Sequence, residues 1–479
     1  MLKHYLISFC LLVLISNLSS QPQNTILDHT EKSKVAKASQ NGVLFTKGDK
    51  VAFVGNSITH SGEFHHNIFL YYITRFPKED ISFFNCGISG DVTGGILKRM
   101  NSDILIHQPT HAVIMIGMND VGRYLYGVVP TQNIDTLKKR EAAIALYKTN
   151  LDSIVRLFLA KGIKIILQKP TIYDQTAVLK TFNNLGVNDA LKQCADYVEL
   201  LSGKYYLPVV DYWSILNNIN IALQKKDSTA TIVGLDRVHP TSTGHLIMAY
   251  QFLKTMRTLR YVSKIAINNN LKKSQLLSEN CSIENFAKDE RGFTFKVKEN
   301  ALPFPTVENQ KQALDLVSFT QDLNVEELRF SKLKAGRYQV VIDTVKIGVF
   351  TAEQLKCGVN LAQYSNSPQY QQALAVRKLL TELWVNEVNL RTIKWVEFGH
   401  LKELENKTDL DVIKAFLEKK YVEKLQNLSN GPYYKGQFEK YIILKPNEKE
   451  YVLKLQALKT KAYQAAQPIV HNFQIIKLD

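Results

Sequence analysis

Cysteine is scarce in this chain, five among 479 residues, and no C-x-x-C pair offers metal-ligand spacing. Cys86, Cys194, Cys281 and Cys357 lie too far apart in so long a chain to make a disulfide scaffold, so most are expected as buried thiols. Missing too is any long basic run interleaved with aromatic residues. Lysine and arginine outnumber acidic residues 60 to 44, a formal charge of +16, but the lysines come in scattered pairs such as Lys138 with Lys139 and Lys419 with Lys420. The excess suits an anionic partner such as a uronate-bearing polysaccharide, a nucleic acid or a membrane surface, but the scattered pairs are read first as ordinary surface charge, and nucleic-acid binding is not expected. There is no fixed-period repeat and no low-complexity tract. The apolar run from Tyr5 to Ile15 falls short of the roughly 20 residues that span a bilayer, so no stable membrane span is expected.

That run follows Lys3 and His4 and gives way to small polar residues, the layout of a secretory signal peptide over residues 1–20 with cleavage near Ser20. Cys10 has no small residues before it and is not read as a lipid attachment site. A secreted or periplasmic protein is the expectation. Residues 21–44 are polar and irregular and read as a linker. Beyond them, short apolar runs ("KVAFVG", "ISFFNCG", "HAVIMIGMND", "IKIILQKPT", "LPVVDYW") alternate with segments of helical period such as "KKREAAIALYKTNLDSIVRLFLAKG". Continuous apolar runs suit strands buried on both faces, and the alternation predicts an α/β domain with a parallel sheet over residues 45–260. After "RYVSKIAINNN" the apolar runs weaken. A second, smaller α+β domain is expected over 261–479, since the length exceeds what one core usually serves. Within it "GRYQVVIDTVKIGVF" predicts two strands joined at Asp343-Thr344, and Ser367-Pro368 predicts a helix start.

Ligands of such sheets sit beyond the carboxyl ends of the strands. Four polar clusters fall there: Gly55-Asn56-Ser57, Asn85-Cys86-Gly87, Gly117-Met118-Asn119-Asp120 and Asp236-Arg237-Val238-His239. Together they supply what acyl transfer needs. A serine hydroxyl becomes nucleophilic when a base takes its proton, and His239 is the candidate base. Asp236, three residues earlier, can hold the imidazole tautomer. Backbone amides at Ser57 and Gly87 and the Asn119 side chain can meet the oxyanion. Singly, each has a plainer reading: Ser57 as a helix cap, Asn119-Asp120 as a turn, Gly87 as a loop glycine, His239-Pro240 as a helix opening. Jointly these explain the pattern poorly.

Elsewhere the plainer readings lead. His60, His65 and His66 cluster after Ser57 without an identifiable carboxylate set, so surface or pocket-rim histidines are expected, with no metal and no cofactor. Tyr173 and Asp174 suit a pocket lining or a loop equally. Trp384 and Trp395 lie in a stretch of helical period and are expected in the core or a domain interface.

The four clusters resemble, in order and in diagnostic residue, the signature blocks of the SGNH (GDSL-type) hydrolase family across roughly residues 45 to 260. The resemblance implies a flavodoxin-like three-layer fold and ester hydrolysis without a metal. It implies Ser57 as nucleophile, Gly87 and Asn119 as oxyanion donors, and Asp236 and His239 as the rest of a triad. Asn56 departs from the family's usual Gly-Asp-Ser. The G-x-S-x-G elbow of α/β-hydrolases does not fit either, because Thr59 occupies its last place. The leading expectation is an exported serine esterase removing small acyl groups, O-acetyl first, from a carbohydrate. The alternatives are a lysophospholipase or thioesterase, and a non-catalytic glycan-binding protein. The sequence sets no oligomeric state.

Overall fold

The computed structural model describes residues 45–269 and 275–478. The signal-peptide and linker readings, and Cys10, lie outside the described residues. The first half alternates strands and helices: β1 (Lys50–Gly55), α1 (Ser57–Ser61), α2 (Glu63–Arg75), β2 (Ser82–Gly87), α3 (Thr93–Arg99), β3 (His111–Met115), α4 (Ile134–Ala160), β4 (Lys164–Gln168), α5 (Val187–Tyr205), β5 (Val209–Val210), α6 (Tyr212–Gln224) and α7 (Ser242–Thr255). The five strands pair in parallel in the order β2-β1-β3-β4-β5, the flavodoxin-like arrangement. Each of the five apolar runs supplies one strand. "LPVVDYW" yields only two strand residues, because Asp211 already caps α6, its carboxylate accepting the Ser214 N–H at 2.9 Å.

Strand alternation explains why the runs are apolar throughout. Val51 and Phe53 of β1 enter one core with Phe64 and Ile68 of α2 and Phe252 of α7. Ala52 and Val54 enter another with Ile96 of α3, Leu151 and Val155 of α4, and Leu191 of α5. Successive side chains point to opposite faces, and helices cover both.

The second half holds β6 (Tyr261–Asn268), β7 (Gln275–Glu279), β8 (Cys281–Lys288), β9 (Gly292–Glu299), α8 (Lys311–Leu316), α9 (Phe319–Leu323), β10 (Val325–Ser331), β11 (Arg337–Ile342), β12 (Val345–Thr351), α10 (Ala352–Cys357), β13 (Val359–Asn360), α11 (Pro368–Gly399), α12 (Leu410–Lys420), α13 (Gly431–Leu444), α14 (Glu448–Ala465) and β14 (Val470–Lys477). Sheets β13-β10-β6-β7 and β12-β11-β14-β9-β8 enclose a core of their own, with Ile265, Phe295, Leu328, Val340 and Phe473. The hairpin expected at 343–344 is β11 and β12, turned by Asp343 at φ 54°. The expected helix start is α11, where Ser367 Oγ accepts the Tyr370 N–H at 3.2 Å ahead of Pro368.

The helices of this half do not stay with its sheets. Ala373, Val376, Leu380 and Leu383 of α11 and Leu458 and Ala462 of α14 pack into the same core as α2 and α7. The second domain is therefore α+β, as expected, but its helices also cover the edge of the parallel sheet at β2. All four described cysteines are free: Cys86 and Cys194 are buried, Cys281 is half-buried and Cys357 is exposed. No described helix is long and apolar enough to cross a membrane.

Candidate active site

β1 must end at Gly55. A Cβ there would lie 2.3 Å from Thr59 Oγ1 and 2.5 Å from the Met115 carbonyl oxygen, so only glycine lets the chain turn from strand into α1 at this spot. Asn56 is the cap of α1, its side-chain oxygen accepting the Ile58 N–H at 3.2 Å. The capping role that Ser57 alone would suggest thus falls to its neighbour, and the exchange of Asp for Asn at 56 keeps the acceptor while removing a charge. Ser57 opens the helix with its hydroxyl free of the cap.

That hydroxyl lies 2.8 Å from His239 Nε2, and His239 Nδ1 lies 2.5 Å from Asp236 Oδ2. A carboxylate on Nδ1 keeps that nitrogen protonated, which leaves Nε2 as acceptor for the serine proton. Partial burial alone would raise the Asp236 pKa. Hydrogen bonds from the His239 ring and from the His239 and Val238 N–H groups outweigh it and hold the carboxyl well below the usual range. The side chains of Asp236 and His239 are 52% and 46% exposed, so the cluster opens to solvent.

Between them Arg237 takes a left-handed φ of 67°. Its buried guanidinium donates to the carbonyl oxygens of Asp174 (2.9 Å), Ala177 (3.0 Å), Leu179 (3.3 Å) and Thr181 (3.2 Å), tying the Asp236–His239 turn to the segment after β4. The strain of that backbone is held by these four bonds and by Asp174 N–H donating to the Arg237 carbonyl at 2.9 Å. Sequence reading passed over Arg237. A cation between two site residues on an otherwise short loop was the available signal. Tyr173 and Asp174 are both buried within this segment. Asp174 accepts the Thr176 and Ala177 N–H groups and Tyr173 the Asn184 N–H, which is the loop role rather than the pocket lining.

Asn119 stands beyond β3 with its amide donating to the Asp91 carbonyl at 3.0 Å and its oxygen 3.4 Å from Arg123, leaving one amide N–H unspent. Asp120 accepts Thr93 N–H and Oγ1–H at 2.8 and 2.7 Å, and burial pushes its carboxyl up to about 6. Gly87 is placed differently from the expectation of an oxyanion donor. Its N–H donates to Asn85 Oδ1 at 2.9 Å, and a Cβ there would sit 2.2 Å from the His60 nitrogen. Gly87 is glycine because α1 packs directly on it. Three residues on, exposed Gly90 has φ 78° and open space around its Cα, and among the described residues its N–H has no acceptor. The Ser89-Gly90 pair in a turn was the signal that sequence reading missed.

The far side of these loops rests on α11. Trp384, Glu387, Arg391 and Trp395, three or four residues apart, share one helix face. Trp384 Nε1 donates to the Ser61 carbonyl at 2.5 Å, Glu387 Oε1 accepts the Asn85 N–H at 3.0 Å, Arg391 Nε donates to the Gly87 carbonyl at 3.0 Å, and Trp395 Nε1 donates to the Ser89 carbonyl at 3.0 Å. Both tryptophans stand at the interface expected of them. Arg391 also grips Asp103 with two bonds of 2.8 Å, and Arg99 bonds Asp103 (2.5 Å), Asp91 (2.8 Å) and the Gly55 carbonyl (3.3 Å). Burial would raise Asp103, but Arg391 and then Arg99 hold its carboxyl far below the usual range.

His60, His65 and His66 are buried under α11 rather than at a surface or rim. Their missing carboxylate is Glu387, more than 300 positions away in sequence, with Oε2 at 2.6 Å from His66 Nε2. Ligand atoms of His65, His66 and Glu387 lie within 4.8 Å of one another. Glu387 bonds His66 Nε2 and the Asn85 N–H, and His65 Nε2 bonds the Thr59 carbonyl at 3.1 Å, while His66 Nδ1 is buried without a partner among the described residues. His60 Nδ1 accepts the Ser89 N–H at 3.2 Å, which requires a neutral nitrogen, and burial pushes that ring down to about 3.

Residues 51–252 match the family GDSL-like Lipase/Acylhydrolase. An acetylxylan esterase of Geobacillus stearothermophilus is 27% identical over 227 residues, 43% of this chain and 93% of that relative. The solved structure of Axe2, an acetylxylan esterase from the same organism, is 23% identical over 44% of this chain and 95% of its own, with a TM-score of 0.37. BT4096, a gut microbial diltiazem-metabolizing enzyme, is 29% identical, covers 91% of this chain and 100% of its own, and gives a TM-score of 0.81. Its likeness therefore extends through the second half.

Proposed function

With residues 51–252 a GDSL-like lipase/acylhydrolase domain and the chain a carboxylic ester hydrolase, we propose that it is an exported serine esterase that removes O-acetyl groups from a carbohydrate. The carrying observation is the line Ser57 Oγ, His239 Nε2, His239 Nδ1 and Asp236, with contacts of 2.8 and 2.5 Å. Ser57 Oγ attacks the acyl carbonyl while His239 takes its proton, and Asp236 stabilises the imidazolium. The oxyanion meets the Ser57 N–H at the start of α1, the unspent Asn119 amide N–H and, in place of Gly87, the Gly90 N–H. His239 then protonates the departing sugar oxygen. A water molecule, deprotonated by His239, attacks the acyl-serine and releases acetate, restoring the hydroxyl. The acetylxylan esterase relative supports the sugar substrate, and the half-exposed site supports access by a polymer. The apolar run at residues 5–15 supports export.

The test measures acetate release from acetylated xylooligosaccharides and from diltiazem by wild type and Ser57→Ala. We expect Ser57→Ala to lose at least about 10³-fold in kcat with its fold intact by circular dichroism. Turnover that rises with acyl chain length and is absent on every acetylated sugar would replace this reading with a lysophospholipase or thioesterase. Failure of Ser57 to react with a fluorophosphonate would favour a glycan-binding protein.

A further inference from the structure

Beside the active site, the loop after β2 and the end of α11 enclose a cavity of about 730 Å³, within the size range of ligand sites. One wall is Ser89, Gly90 and Asp91 with Gly94 and Gly95 of α3, and the other runs from Trp395 to Lys402. The wall at Asp91 is shared with the active site, because the Asp91 carbonyl accepts the Asn119 amide. A ligand in the cavity is thus one loop away from the reacting ester. The glycines keep that wall low: nothing lies within 4 Å of a Cβ built on Gly90, and a Cβ on Gly95 would strike Asp91 Oδ1 at 1.7 Å. Trp395 gives a rigid apolar floor, its ring fixed by the bond to Ser89 and by Tyr434 stacked at 5.9 Å.

The charges in the lining do not cancel. Asp91 is spent on Arg99, and Glu397 on Lys394 and Lys445. Lys98, Lys402 and Lys407 remain, all exposed, and none has a carboxylate partner among the described residues. Three ammonium groups around an apolar floor act as point charges that suit an anionic group held near water, and on a glycan chain the anionic group is the carboxylate of a uronate.

Resting on the esterase reading above, we infer that this cavity is a subsite for a uronate residue of the acetylated glycan, which would make the enzyme selective for acidic over neutral chains. The test compares KM on acetylated oligosaccharides matched except for a glucuronate branch. We expect the acidic substrate to have a KM about three- to tenfold lower, as a few rim charges allow. That advantage should vanish at high salt and in the triple variant Lys98→Gln, Lys402→Gln, Lys407→Gln, with kcat and KM on the neutral substrate unchanged. Equal KM for both substrates in wild type, or a triple variant weakened on both alike, overturns the inference. If neither substrate is deacetylated, the esterase reading fails on its own. The subsite is then judged by calorimetry with a deacetylated, glucuronate-branched oligosaccharide: binding weakened about three- to tenfold in the triple variant supports it, and no binding or equal binding overturns it.

Discussion

Two buried arginines hold the candidate active site from opposite sides, and they are satisfied in opposite ways. Arg237, inside the turn that carries Asp236 and His239, has carbonyl oxygens as its hydrogen-bond acceptors, four of them within 3.3 Å. Arg391, arriving from α11, spends two bonds on the Asp103 carboxylate and one on the Gly87 carbonyl. The first shapes a loop through neutral dipoles, two of them buried and two, on Leu179 and Thr181, only part-buried. The second neutralises a desolvated charge and, with Arg99, ties off the last residues of β1 and β2. A carbonyl that loses its donor can turn to solvent, whereas a carboxylate that loses one of two buried cations is left under-compensated where water cannot enter.

The largest effect should therefore follow removal of Arg391. Arg391→Ala is expected to cost about 3–5 kcal/mol in urea unfolding, with loss of esterase activity because the Gly87 to Asp91 segment loses its anchor. Arg237→Ala should cost less, about 2–3 kcal/mol from lost charge-assisted bonds, with a fall in kcat larger than any change in KM as the His239 turn loosens. Arg237→Gly should recover about 1 kcal/mol of that loss, because glycine accepts the left-handed backbone. A Gly variant no more stable than the Ala variant would show that the strain at 237 is negligible.

Acid tests both supports together. His60 beneath the Ser89 loop, His65 beside His66 and His245 on α7 are all pushed by burial from 6.5 down to about 3. The unfolded chain takes protons on these rings below about pH 6.5, while the folded chain takes them only near pH 3. Stability is therefore complete above pH 6.5 and declines as the pH falls toward 3, by up to about 1.4 kcal/mol per pH unit for each ring. The depressed Asp103 and Asp236 carboxyls add further loss at the acid end, below their unfolded range. Unfolding midpoints measured between pH 7 and 4 (about 1.4 kcal/mol per unit per ring) should flatten when His245 is replaced by Gln.

The smallest effect belongs to the solvated counterpart of the Arg391 network on the same helix. Lys394, Glu397, Lys445 and Glu448 form a ring of ion pairs whose side chains are 23–27% exposed. Lys445→Ala should cost about 1 kcal/mol or less and diminish further with salt. A cost equal to that of Arg391→Ala would erase the distinction between the two networks.

Much of the parallel sheet was legible because its cause is local. Strands covered on both faces must be apolar at every position, and those runs stand out in sequence. The four clusters were legible for a similar reason, since chain ends of a parallel sheet gather at one edge whatever the remaining details. Gly87 was misread because a glycine that lets a helix pack close and a glycine that exposes an amide look alike in sequence. Only the neighbouring atoms, His60 against Gly87 and open space at Gly90, tell them apart. The histidines were misread because Glu387, their carboxylate, is brought in by another element.

The sequence by itself determined the strand order's raw material, the hairpin at 343–344, the capped start of α11 and the residue types at the sheet edge, all properties of short stretches with their own periodicity or turn chemistry. Tertiary structure alone decided that α11 lies against β2 and that three lysines and a tryptophan from two distant segments line one cavity. Those outcomes depend on which surfaces meet, and burial and desolvation act on charges only once they have met.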